Sequence, residues 1–159
     1  MTIESELLRL ILRRFAAGVT VITSVAEDGA PAGMTATAFS SVSLSPPMVL
    51  VCVDAAARTR KAIERAGFFA VNVLAGTQQD IAKRFASKMD DKFAGLRWRA
   101  GITGAPLLDG SLAVVECEVR NSVEAGTHVI YVGAVRNGET VEGEPLVYFE
   151  GEYRGLGTH

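Results

Sequence analysis

Between Gly29 and Val53 the chain carries no charged side chain. The run is too polar and too broken to cross a membrane. Thr35, Thr37, Ser40, Ser41, Ser43 and Ser45 punctuate it, and Pro46-Pro47 interrupts it before the roughly 20 apolar residues that a spanning helix needs. What remains is extended chain. In that geometry Thr35 and Thr37 share one face, and Ala36 and Ala38 share the other. Small side chains on both faces suit two uses. The segment can pack tightly against neighbouring strands, or it can let a flat ligand reach the backbone, whose N–H and C=O groups then read a polar ring edge.

The flanking sequence supplies the rest of a β-rich domain. IESELLRLILRRF (3–15) spaces Leu7, Leu8, Ile11 and Phe15 as an amphipathic helix. AGVTVITSVA (17–26) reads as a strand, Asp28-Gly29 as a turn, and a second extended segment starts near Ala32. MVLVCVD (48–54) is a buried strand, and residues 56–67 form a helix stopped by Gly67. FFAVNVL (68–74) is a strand. Gln78 to Lys88 is a helix with Ile81, Ala82 and Phe85 on one face, and residues 90–110 are irregular around the single Trp98. Residues 111–123, 127–136 and 145–154 are extended, with Asn137-Gly138 as a hairpin signal. About seven strands and three helices, joined mostly by hairpin-type turns, predict a mainly β, antiparallel domain of the kind that closes into a barrel. With no repeat or low-complexity linker, residues 1–159 are expected to form one domain.

Composition removes several function classes. A net charge of −2 and a pI near 5.7 argue against a nucleic-acid or anionic-membrane partner. Glu4 and Glu6 interrupt any secretory leader. Cys52 and Cys117 supply neither a disulfide framework nor a CxxC pair, and reduced thiols in strands are expected, as in a cytoplasmic protein. Neither nucleotide-binding glycine loop occurs, nor does HExxH, nor a GxSxG elbow around Ser41. What the sequence does offer is anion-binding and polar-ring chemistry. Arg58 and Thr59 open a helix directly after a buried strand, where helix amides and a guanidinium could hold phosphate. Lys83, Arg84 and Lys88 could add to that site. With His159 at the terminus, His128 is the histidine expected in the folded core, beginning a strand after Gly126 and able to hydrogen-bond a polar ligand.

Taken in order, RRFAAGVTVIT, GMTATAFSSVSLSPPMVLVCVD, FFAVNVL, FA…DDKF, PLLDGSLAVVECEV, GTHVIYVGAV and PLVYFEGEYR resemble the flavin reductase-like family. More narrowly, they resemble the short-chain NAD(P)H:flavin oxidoreductases that serve two-component flavin-dependent monooxygenases. The resemblance implies an antiparallel Greek-key split β-barrel with flanking helices, usually a homodimer. It implies FMN or FAD and NADH or NADPH as ligands, and a separate oxygenase as partner. By the same resemblance Thr35, Ala36, Thr37, Ala38, Ser41, Val42 and Ser43 lie along the flavin ring. Cys52, Val53, Asp54, Arg58 and Thr59 follow the ribityl chain and phosphate, and Phe85 and Lys88 lie near the flavin tail. His128 matches the histidine of a Gly-Asp-His motif beside the nicotinamide. The chain departs from the family pattern at Ala17, Ala57 and Thr127, which stand where Thr, Ser and Asp are common. Ala57 moves phosphate binding toward Arg58, Thr59 and the helix end, and Thr127 alters the nicotinamide site. They also leave room for two other readings: a flavin-binding barrel without turnover, and a barrel whose tightly bound flavin acts on another small molecule.

Overall fold

β-Branched residues, which lose little on entering a pleated sheet, dominate the segments that build the core. In the computed structural model, which describes residues 1–157, the strands are β1 (Ala17–Gly18), β2 (Thr20–Val25), β3 (Pro31–Ala36), β4 (Phe39–Leu44), β5 (Pro47–Asp54), β6 (Phe68–Val73), β7 (Trp98–Ala100), β8 (Pro106–Leu108), β9 (Ala113–Ala125), β10 (His128–Thr140), β11 (Val147–Phe149) and β12 (Glu152–Arg154). The helices are α1 (Ser5–Leu12), α2 (Arg58–Ala66) and α3 (Gln79–Ala86). His159 lies outside the described residues.

Seven strands form one antiparallel sheet in the order β3-β2-β6-β9-β10-β5-β4. Its two edge strands, β3 and β4, are consecutive in the chain and joined only by Thr37 and Ala38. Laid flat, the edges of such a sheet would stand about 29 Å apart. Three Cα steps, from Ala36 to Phe39, reach about 11 Å. The sheet therefore curls until the ends of its edge strands come within that reach, as in a split barrel. Inside the curl Ile22, Val51, Val53, Ile63, Phe69, Val71, Cys117 and Tyr131 form the main core.

Most polar side chains in this interior are satisfied, the hydroxyl of Tyr131 excepted. Thr20 Oγ1 donates to Ala36 O at 2.7 Å and Thr23 Oγ1 to Pro106 O at 2.6 Å. Buried Asn72 donates to Val21 O and Thr23 Oγ1 and accepts from Leu108 N. The charge-free run of the sequence is thus partly explained by packing. Thr35 Oγ1 donates to Ala82 O at 2.6 Å and fastens β3 to α3, while Ala36 is buried in the core. Gly67 ends α2 at φ 76°, its N–H bonded to Ile63 O at 2.8 Å.

The structure corrects four expectations. Asn137-Gly138 makes no hairpin. The turn falls at Gly126-Thr127, and β10 pairs with β9 through to Thr140 opposite Ala113, passing register shifts at Val132/Gly133 and Val135/Asn137. Asn137 Nδ2 donates instead to Glu116 Oε2 at 3.0 Å, so a long-range partner overrides the local turn preference. Residues 90–110 contain the β7–β8 hairpin, too short to show alternation. The closing segment is itself two strands, β11 and β12, folded back at Glu150-Gly151. Finally, His128 is exposed rather than a core residue.

Candidate functional site

The alternation expected along Thr35–Ala38 ends where β3 ends. Beyond Ala36 the chain leaves the ladder, and both Thr37 and Ala38 face a groove of about 790 Å³. Phe39, Ser40, Leu50 and Cys52 complete its floor. Phe39 N donates to Thr37 O and Cys52 N to Ala38 O, each at 3.0 Å, so the floor is held rigidly by main-chain bonds. One wall is α1, which presents Ser5, Leu8, Arg9, Leu12 and Arg13, the i, i+3/i+4 stripe of a single helix face. Phe15, Ala17 and Tyr148 close the end. The floor and walls combine apolar surface, hydroxyls, main-chain polar groups and the guanidiniums of Arg9 and Arg13, with no carboxylate. That donor set and that volume fit a planar, uncharged, heteroatom-edged ring.

Along β5, Cys52 leads to Asp54 about 7 Å on. Asp54 Oδ1 accepts from Ala56 N at 2.9 Å and turns the chain into α2. The residue before that helix is Ala57, which offers no side-chain cap, so the first amides of α2 keep their capacity for an anion. Arg58, the first residue of α2, reaches to the loop after α3, its Nη2 donating to Met89 O at 3.0 Å and its Nη1 3.6 Å from Asp90 Oδ1. The loop after α3, with Lys88, is thereby tied to the start of α2. Lys92, absent from the sequence-based site, holds the same loop by donating to Phe85 O at 3.0 Å and Gly33 O at 3.4 Å. Desolvation, aided by the Arg58 charge, pushes its pKa below the ordinary lysine value. His128 stands opposite Asp54 in the β10–β5 register, and Thr127 O accepts from Ala55 N at 3.0 Å. One of its ring nitrogens, Nδ1, lies 3.0 Å from Thr127 Oγ1. Along β5 a ring-sized groove therefore leads toward an uncapped helix start that opens with Arg58, and an exposed imidazole stands opposite Asp54.

Residues 12–157 match the family described as the flavin reductase like domain. The chain belongs to that family. It is similar to the reductase subunit HsaB of a flavin-dependent monooxygenase from Mycobacterium tuberculosis, 40% identical over 157 residues that cover 97% of this chain and 83% of that one. It is also 37% identical to a flavin reductase (NADH) from Kitasatospora aureofaciens, covering 95% and 81% of the two chains. Among solved structures, an NADH:FAD oxidoreductase from Streptomyces globisporus in complex with NAD and FAD fragments superposes with a TM-score of 0.91 at 34% identity, covering 99% of this chain and 97% of that one.

Within this flavin reductase-like domain the sequence-predicted residues divide by position. Thr37, Ala38 and Cys52 line the groove. Asp54, Arg58 and His128 gather at the α2–β10 end, with Lys88 on the tethered loop, while Thr59 beside Arg58 is buried. Ser41, Val42 and Ser43 lie on β4, with Val42 46% exposed at a register shift. Ala36, Val53 and Phe85 are buried in the core, so the structure does not open these three predicted residues to a ligand. Phe85 packs against Gly33, where a Cβ would lie 2.8 Å from its ring. Missed from sequence were Ser40, Leu50, Tyr148 and the α1 wall. The available signal was the helix itself: it repeats Leu8 and Leu12 toward the groove while Leu7, Leu10 and Ile11 repeat elsewhere.

Proposed function

We propose that this flavin reductase-like protein uses NADH or NADPH to reduce FMN or FAD and releases the reduced flavin to a separate flavin-dependent oxygenase. One observation carries the reading: a main-chain-held floor of small residues leads along β5 to an uncapped helix start whose first residue is Arg58. The hydride exchange belongs to the two bound rings. The chain's part is positional. Thr37, Ala38 and Ser40 present main-chain and hydroxyl groups to the edge of the flavin ring, and Leu50 and Phe39 keep water from its face. Arg58, Thr59 and the α2 amides hold phosphate, with Lys88 adding charge nearby. His128 offers a ring nitrogen to the nicotinamide carboxamide. No proton-transfer pair is required, and the groove contains no carboxylate.

The names of the relatives support both the redox chemistry and the oxygenase partner. We also place the protein in the cytoplasm as a homodimer. Both cysteines are free thiols, and α1 carries a second apolar stripe, Leu7, Leu10 and Ile11, each 51% exposed on its outer side. No helix among the described residues is long and apolar enough to cross a membrane.

The test is NADH consumption followed by absorbance while free FMN is varied. A rate that rises and saturates with added flavin is expected. Flavin binding without NADH consumption would mean a barrel that carries flavin and does not reduce it. Consumption indifferent to added flavin would mean a tightly held flavin serving another acceptor.

A further inference from the structure

The α1 wall of the groove carries two guanidiniums one helical turn apart, Arg9 and Arg13. They differ in how they are engaged. Arg9 Nη1 is bonded to Glu6 Oε2 at 2.9 Å. Arg13 has no acidic partner among the described residues. The carboxylate of the adjoining turn, Glu150, is taken by Arg14 and by Arg154, the latter at 3.4 Å. Yet Arg13 is held in place. Its carbonyl accepts from Glu150 N at 3.0 Å. Its side chain lies across Gly151, where a Cβ would be 3.6 Å from both Cζ and Nε. An exposed cation without a counterion, on a backbone held in place and lining a groove that fits a planar ring, suits an anion attached to that ring.

We infer that Arg13 anchors a phosphate of the nicotinamide dinucleotide. The inference rests on reading the groove as the ring site. The flavin phosphate already has its place under Arg58 and Thr59, at the start of α2. Arg13 belongs to a different element, the helix that walls the groove, and a second nucleotide sharing the groove brings phosphates of its own. Arg9, four residues earlier on the same face, extends the cationic wall. Leu8 and Leu12 share that face and give the wall its apolar part.

Arg13→Gln tests this directly. α1 buries no side chain, so the substitution spares the core, and an unchanged melting temperature verifies that. The expected result is a KM for NADH raised about tenfold, the scale of one lost charge-assisted hydrogen bond. The KM values for FMN and FAD should stay within about twofold. Arg13→Lys should recover part of the loss. Calorimetric binding of ADP-ribose, which involves no turnover, should weaken in parallel. A rise larger for NADPH than for NADH would put the 2′-phosphate on Arg13, and an equal rise the pyrophosphate; both support the assignment. A raised KM for FAD with NADH unaffected would give Arg13 to the flavin's adenylate and overturn it. So would kinetics and ADP-ribose binding indistinguishable from wild type. A wild type that fails to consume NADH with added flavin would sink the functional reading instead, which separates the two failures.

Discussion

His128 and Arg58 occupy one end of the β5–β10 pair but are assigned different ligands, and substitution separates them. His128→Ala is expected to raise the KM for NADH several-fold while the FMN Kd, read by fluorescence quenching, stays put. Equal loss of both would move the nicotinamide elsewhere. Arg58→Ala is expected to weaken FMN by about tenfold and riboflavin, which lacks the phosphate, hardly at all. An unchanged FMN-to-riboflavin ratio would remove Arg58 from the phosphate. Glu116 is a different case. It is fully buried, accepts from Thr103 N at 2.9 Å, Thr103 Oγ1 at 2.8 Å and Asn137 Nδ2 at 3.0 Å, and fills the space a side chain at Gly101 would need. Burial alone would raise its pKa, but the hydrogen bonds from Thr103, Asn137 and Ile102 outweigh burial and lower it below the ordinary value. A depressed carboxyl stabilises the fold above the unfolded pKa and loses that contribution as pH falls through the folded one. Glu116→Gln should therefore cost about 1–3 kcal/mol at pH 7. The deficit should shrink toward acid, as chemical melts at several pH values would show. The same carboxylate and burial push the Cys117 thiol up to about 12, which keeps it inert.

At the scale of elements, α1 was legible as a helix but not as a wall. Its leucines point two ways, and a sequence pattern cannot say which stripe faces the molecule. The structure turns Leu8 and Leu12 toward the groove and leaves Leu7 and Ile11 outside. Light scattering should find two chains per particle for the wild type and one for Leu7→Glu/Ile11→Glu. A wild-type monomer would remove the homodimer. Strand identity was readable where β-branched and apolar residues ran over four or more positions, as in β2, β5 and β6. It was not readable where pairing partners decide, as for Asn137 and Gly138 inside β10. The three-residue strands β7 and β8 carry no period of their own. Their connection is fixed by Glu116, a residue remote in sequence, through Thr103.

For the whole molecule, the antiparallel β class followed from turn spacing, and the family from the order of the motifs. Curling of the sheet did not follow from either, because it depends on which strands become edges. The anion end of the site was readable because Arg58 and Thr59 follow a strand directly. The ring end was half readable, since hydroxyl-rich chain can pack or bind, and this chain does both: Thr35 is spent on α3, whereas Thr37 is left for the groove. The short link between β3 and β4 has a further consequence. Thr37 and Ala38 are at once the clasp that shuts the sheet and the surface on which a ring would rest. An added residue there would loosen the fold and blunt the platform together, so neither can be altered alone. The α1 helix carries no such double duty. Changes of ligand preference on this scaffold are to be sought along its face, where a guanidinium can be gained or lost at little cost to the barrel.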